Sequence, residues 1–249
     1  LVPVFVPWRS LTTSIGIAVA AALTVRYGRG GMLDEDRLLN LILIIVVAGM
    51  VGARLFYLLE QDPGALVRPG DWLGSNGFSF YGAIIASIAA GALYLRNAVT
   101  RLSLLDAAAS GFGLGMAIGR IGDLLIGEHL GDASDLPWAV QYTNPDALAP
   151  SLDLAYHPGP LYEALLGLAI FLIVWPRRDR FAPPGMLIAF VVGAYGLGRF
   201  VLFFFRNDSD NLVAGLSNGQ VVSLLVAFTA IAATIWIRSR HDDDAAGVV

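Results

Sequence analysis

Seven apolar stretches, at roughly residues 10–27, 38–59, 79–95, 104–126, 160–175, 184–205 and 217–237, leave this chain few ways to fold. Only 14% of its 249 residues are charged. A soluble domain carries about 25%, so no water-facing surface could enclose these stretches. Mean hydropathy is +0.67, and lipid must cover much of the chain. In hydrocarbon every backbone polar group has to pair internally, so the stretches are read as helices. Several are shorter than the ~20 residues that cross a bilayer, and their ends are expected to extend into flanking residues. The expected fold is an all-α polytopic membrane bundle of seven transmembrane helices. It forms a single seven-span domain over 1–240, with an outer loop region at 127–159 and a polar, mobile tail at 241–249.

All sixteen basic residues are arginines, and their placement gives an orientation. Arg26, Arg29 and Arg37 follow the first stretch, Arg96 and Arg101 the third, and Arg177, Arg178 and Arg180 the fifth. Arg238 and Arg240 end the last. The alternate connections hold only Arg68 and Arg206. Basic residues accumulate on the cytoplasmic side, so the N-terminus is expected outside and the C-terminus inside. Arg9 lies on the expected outer side, against this pattern. The outer region 127–159 has no basic residue, and its Trp138, Tyr142 and Tyr156 suit a membrane interface.

Composition also excludes chemistry. The chain has no cysteine, hence no disulfide, thiolate metal site or cysteine nucleophile. Three scattered histidines make no metal site, and no cofactor is expected. The first ten residues lack the order of a cleavable signal peptide. No internal repeat of the kind built into secondary transporters is visible, which weighs against a small-solute transporter.

Arg54, Arg120 and Arg199 fall inside apolar stretches. A charge at that depth costs at least ~2.5–3.5 kcal/mol unless it is paired, snorkels or binds an anion. Arg54, near the end of its stretch, is read as snorkelling or pairing with Glu60. Arg120 stands among Gly111, Gly113, Gly115, Gly119, Gly122, Gly127 and Gly131. Small residues let helix backbones, or a lipid head group, approach closely. Arg120 is either structural, paired with Asp123 or Glu128, or part of an anion site, because a guanidinium forks onto phosphate oxygens. Arg199 and Arg206 are seven apart, two turns along one helix face. The aromatic run 203–205 between them suits lipid contact or the interface. Glu163, just inside the fifth stretch behind His157 and Pro160, needs a partner, and Pro160 suits the first turn of a helix.

These blocks, in order, resemble the bacterial prolipoprotein diacylglyceryl transferase family. The resemblance runs through Val51-Gly-Ala-Arg-Leu-Phe-Tyr57, Gly77-Phe-Ser-Phe-Tyr-Gly-Ala83, Gly119-Arg-Ile-Gly-Asp123, Gly127-Glu-His-Leu-Gly131, His157-Pro-Gly-Pro-Leu-Tyr-Glu163, Tyr195-Gly-Leu-Gly-Arg199 and Ser217-Asn-Gly-Gln220. It implies an enzyme of the bacterial plasma (inner) membrane. The reaction moves a diacylglyceryl group from phosphatidylglycerol to the lipobox cysteine of a prolipoprotein, leaving glycerol phosphate. Partners are then phosphatidylglycerol, the lipobox segment and membrane lipid, and no nucleic acid.

The family's two essential arginines carry over to Arg120 and Arg199, of which Arg120 contacts the lipid phosphate. Glu128 and Gly131 match the same signature. Asp123, Leu124 and Ile126 stand where the family has Asn, Phe and Asn. Tyr81 replaces a histidine, and Phe203 a glutamate four residues after the second arginine. The family's Trp-Tyr-Gly at the start of the first span is replaced near Arg9. The catalytic candidates are therefore Arg120, Arg199, Glu128, Tyr81 and His157, with His129 and His157 the available substitutes for the missing histidine. The substrate-binding candidates are Arg120, Arg199, Gly131, Tyr195, Arg206 and Glu163. The alternative is a non-catalytic homologue that binds phosphatidylglycerol or a lipoprotein.

Overall fold

A computed structural model of the chain describes residues 8–30, 33–72, 79–96, 100–206, 211–213 and 215–246. In chain order the helices are α1 (Trp8–Gly30), α2 (Glu35–Gln61), α3 (Pro69–Trp72), α4 (Phe80–Leu95), α5 (Arg101–Ile126), α6 (Gly159–Val174), α7 (Met186–Leu202) and α8 (Asn218–Ala246). Short 3₁₀ turns lie at Pro63–Val67, Trp175–Arg180 and Phe203–Phe205. Two small antiparallel ladders are the exceptions to an all-helical protein: β1 (Val140–Gln141) with β2 (Ala155–Tyr156), and β3 (Asn211–Val213) with β4 (Leu216–Ser217).

Six helices among the described residues are long and apolar enough to cross a membrane: Trp8–Gly30, Glu35–Leu59, Arg101–Ile126, Gly159–Arg180, Met186–Phe205 and Asn218–Asp242. The third apolar stretch becomes α4, of 16 residues, a shorter apolar helix. Large apolar side chains are exposed as well as buried, and some charged ones lie inside. Leu43, Met50, Ile88, Leu172, Leu225 and Phe228 are exposed, whereas Arg54, Asp106, Asp123, Glu163 and Gln220 are buried.

The chain divides into two compact units, Gly28–Leu104 and the rest. In the first, Asp34 caps α2 by accepting the backbone N–H groups of Asp36 and Arg37, and Glu35 and Asp36 suit the positive end of that helix. Helix α4 returns antiparallel along α2. A methyl group at Gly52 would strike the Gly82 carbonyl, so the two backbones touch there. The Ser79 N–H bonds the Ala53 carbonyl at 2.9 Å where the helices meet. Arg54 does not snorkel. Its side chain is buried, its guanidinium donates to the Asp71 carbonyl, and it lies 5.4 Å from the centre of the Tyr57 ring. A carbonyl from the next segment satisfies it within the protein. The Glu60 side chain expected as its partner lies outside the described residues.

In the second unit, α1 runs antiparallel to α5, with Gly16 against Gly115 and Ala20 against Gly111. On another side of α5, Gly113 meets Gly167 of α6 backbone to backbone. A core of Ala109, Ile170, Val174, Leu187 and Val191 joins α5, α6 and α7. Gly185 precedes α7 at φ 97° and has no side chain to cap it. Asp106 of α5 does so instead, accepting the N–H groups of Gly185 at 2.7 Å and Ile188 at 2.9 Å. Helix α8 opens with a capping box: the Ser217 hydroxyl accepts from the Gln220 N–H, and the Gln220 carbonyl oxygen accepts from the Ser217 N–H. The helix continues to Ala246, so the expected mobile tail is helical up to that residue.

Between α5 and α6 the chain packs Leu130, Tyr142 and Tyr156 into a small core of its own. Burial there pushes the Tyr142 hydroxyl above its ordinary pKa, and it donates to the Leu124 carbonyl. Of the three aromatics expected at the interface, only Trp138 is exposed.

Candidate active site

The site forms where four helix ends of the second unit meet: the start of α1, the end of α5, the start of α6 and the end of α7. At the end of α5, Gly127 takes a left-handed conformation (φ 77°), and the Glu128 N–H bonds back to the Asp123 carbonyl at 3.0 Å. This is the glycine-terminated C-cap common to helices. Tyr142 and the Leu148 N–H take up the carbonyls of Leu124 and Ile126. The turn leaves Arg120 and Asp123 on the last helical turns and carries Glu128 just past them. At the start of α6, Pro160 occupies the first turn as expected, and Glu163 follows it into the bundle.

Glu163 is completely buried and gathers three guanidiniums. Arg120 Nε lies 2.5 Å from Glu163 Oε2. Arg206 Nη1 lies 2.5 Å, and Arg199 Nε 3.5 Å, from Oε1. Burying a carboxylate among apolar helices is tolerable only with such partners. The network continues outward. Arg120 Nη1 also pairs with Asp123 Oδ2 at 2.5 Å. Arg9, from the first turn of α1, lies 3.3 Å from Asp123 Oδ1 and 2.5 Å from Glu128 Oε2. Four guanidiniums thus face three carboxylates in one connected network. Its charge is positive by one, and three of those positive groups converge on a single buried point.

Aromatic rings back the arginines. Arg199 lies over Tyr195 and Phe203, at 5.9 and 5.1 Å from the ring centres, and Arg206 over Phe203 at 4.9 Å. Tyr195 packs edge-on against Phe112. The run 203–205 is therefore split. Phe203 is buried under two guanidiniums, whereas Phe204 and Phe205 are exposed. The two-turn spacing of Arg199 and Arg206 does not hold as a helix face either, because α7 gives way to a 3₁₀ turn at Phe203. The tighter winding still brings both side chains onto Glu163.

Beside the network, His157 Nδ1 lies 3.0 Å from the Tyr162 hydroxyl, which also accepts from Trp138 Nε1 at 2.9 Å. Phe205 packs against both the His157 and Tyr162 rings. His129, at φ 58°, has its Nε2 3.9 Å from Glu128 Oε1. Gly131 donates its N–H to the His157 carbonyl at 2.9 Å, and any side chain there would strike the Phe205 carbonyl. Tyr81 lies in the first turn of α4, in the other unit, and its side chain is outside the described residues.

Arg120, Arg199, Arg206, Glu163, Tyr195 and Glu128 are thus one connected assembly, with Gly131 and His157 adjoining it. Arg120 pairs with Asp123, one of its two expected partners, while Glu128 turns to Arg9. Arg9 is the member that sequence reasoning missed. The available signal was its position: a lone arginine at the start of the first stretch, with two acidic residues at the end of the fourth.

Comparison with known proteins shows the family of the chain. A family model described as prolipoprotein diacylglyceryl transferase matches residues 1–236. The chain is 33% identical over 234 residues to the phosphatidylglycerol–prolipoprotein diacylglyceryl transferase of Bordetella avium strain 197N, covering 89% of this chain and 86% of that protein. The protein of that name from Ruegeria pomeroyi is 33% identical over 256 residues, covering 87% and 85%. Its counterpart in Thermosynechococcus vestitus is 33% identical over 241 residues, covering 92% and 86%.

Proposed function

The chain belongs to the prolipoprotein diacylglyceryl transferase family, and from that membership we propose that its arginine–carboxylate network is the phosphatidylglycerol site. The protein is a multi-pass membrane transferase of lipoprotein biosynthesis, moving a diacylglyceryl group from phosphatidylglycerol to a prolipoprotein. The acceptor in this reading is the thiol of a lipobox cysteine. Its sulfur forms a bond to the terminal glyceryl carbon of the diacylglycerol. The bond from that carbon to the phosphate oxygen breaks, glycerol phosphate leaves with the electron pair, and the thiol proton passes to a base.

The observation that carries the reading is the convergence of Arg120, Arg199 and Arg206 on buried Glu163. Leaving-group charge is the main obstacle to this displacement in a low-dielectric site. Fixed guanidiniums stabilise it without reorganising. Glu163 holds them in place, and Arg120 and Arg199 receive the phosphate. Arg206 and Tyr195 flank them, and Gly131 lets the adjoining strand segment approach. Glu128 keeps the outer end of the network in register. His157 takes the thiol proton, oriented by Tyr162. A thiol of pKa ~8.5 needs little help, so a histidine suffices as base.

The test uses purified protein, labelled phosphatidylglycerol and a peptide bearing a lipobox cysteine. Thioether product is expected, and R120A should lower its rate about 10²-fold or more. Absence of product from well-folded protein would defeat the reading.

The topology that goes with it has seven crossings in one domain over 1–240, N-terminus outside, in the bacterial plasma (inner) membrane. Parity supports the seventh. Helices α1 and α5 are antiparallel, so an even number of crossings separates them along the chain. With α2 as one of them, the reading takes α4 as the other; its 16 residues span about 24 Å. Basic residues at the far ends of the helices from the site favour an outward-facing active site, where exported prolipoproteins arrive.

A further inference from the structure

We propose that Arg9 is a positioning residue of this site: it neutralises Asp123 and Glu128 so that Arg120 keeps its positive charge for the lipid phosphate. The inference rests on the reading of the network as the phosphatidylglycerol site. Asp123 divides its two oxygens between two arginines, Oδ1 towards Arg9 at 3.3 Å and Oδ2 towards Arg120 at 2.5 Å. Arg9 spans from Asp123 to Glu128, its Nη1 2.5 Å from Oε2. Asp123 is buried, so its charge is poorly screened by water and needs a counter-ion nearby. With Arg9 present, Asp123 has one on each side.

Without Arg9, the whole of that charge falls on Arg120. A guanidinium already committed to Glu163 would then face a second, uncompensated carboxylate, and an incoming phosphate would compete with both. Glu128 would add a third negative group to the same end of α5.

The placement of Arg9 is built into the backbone. Gly122 brings α5 so close to α1 that a methyl group there would meet the Arg9 Cα at 2.7 Å and the Thr12 hydroxyl. The Thr12 hydroxyl lies 3.3 Å from the Gly119 carbonyl, and nearer still to the Trp8 and Arg9 carbonyls of its own helix. The α1 helix is therefore pinned to α5 one turn from Arg120, with Arg9 at the seam. No member of this pair touches the reacting atoms in the reading above. Arg9 acts through Asp123 and Arg120.

The experiment compares the native protein, R9A, D123N and R9A/D123N in the transfer assay, at varied phosphatidylglycerol. In R9A the phosphatidylglycerol concentration for half-maximal rate should rise roughly tenfold, with a smaller fall in kcat. Asparagine at 123 keeps an oxygen for Arg120 but drops the competing charge. R9A/D123N should therefore return to within about threefold of the native value, a coupling that a double-mutant cycle isolates. A purely structural role for Arg9 would make the two losses compound instead, and that result overturns the proposal, as does an R9A protein that behaves like the native one. If R9A does not fold, R9Q is read in its place by the same criteria. Binding of each protein to micelles containing phosphatidylglycerol is measured in parallel. If the native protein transfers nothing, the transferase reading falls. The Arg9 proposal then stands on weakened binding by R9A that D123N restores, and it falls if all four proteins bind alike.

Discussion

Glu163 has no exposure and three guanidiniums around it, so its charge has no substitute partner in water. Removing one member of a buried ion pair costs about 3–5 kcal/mol because the remaining charge stays buried. E163A should therefore destabilise the protein by about that amount and abolish transfer, measured by thermal unfolding in detergent and by the lipidation assay. E163Q keeps the shape and should be milder in stability yet still impaired in rate, because the guanidiniums lose their fixed anchor. Sequence reasoning recognised that Glu163 needed a partner and that Arg120 and Arg199 were unusual. It could not pair them with Glu163, because residues 43 and 36 positions away meet it only through tertiary packing, and each arginine also had a local explanation.

Among the elements, α5 carries the most. It touches α1 along Gly115 and α6 along Gly113, in both cases backbone to backbone. A side chain at either glycine has nothing flexible to displace. G113V should separate the helices and cost about 1–3 kcal/mol or more, visible as lower melting temperature and poorer recovery from detergent. At the other end of the same helix, Asp106 caps α7. D106A leaves two buried N–H groups without their acceptor and should lose about 1–3 kcal/mol of stability, whereas D106N should recover part of it. The glycine density of α5 was legible as a sign of close packing. The cap was not, since Asp106 serves a helix that begins 80 residues later and nothing in its own neighbourhood marks it. The capping box at Ser217–Gln220, by contrast, is entirely local. The short α4 marks the limit of hydropathy: the stretch was found, but whether 16 residues cross a bilayer depends on what they pack against.

For the whole molecule, hydropathy and the arginine distribution carried the reading of an all-helical membrane bundle, because lipid imposes helices and charge bias imposes orientation. The orientation has a direct test, since the chain contains no cysteine. A single cysteine at Asp135, in the segment between α5 and α6, should react with a membrane-impermeant maleimide applied from outside. One at Arg178, after α6, should react only once the membrane is opened. Equal labelling of both in intact cells would sink the outward-facing site. The antiparallel seam of α1 on α5 also bears on how the protein is made. Helix α1 leaves the ribosome before α5, but its glycine face and Arg9 belong against that helix, encoded about a hundred residues later. At the usual pace of synthesis, that leaves α1 in the membrane for on the order of ten seconds before its partner exists. Throughout that interval Arg9 has neither Asp123 nor Glu128, and nascent α1 depends on lipid head groups or the insertion machinery to hold its charge at the surface.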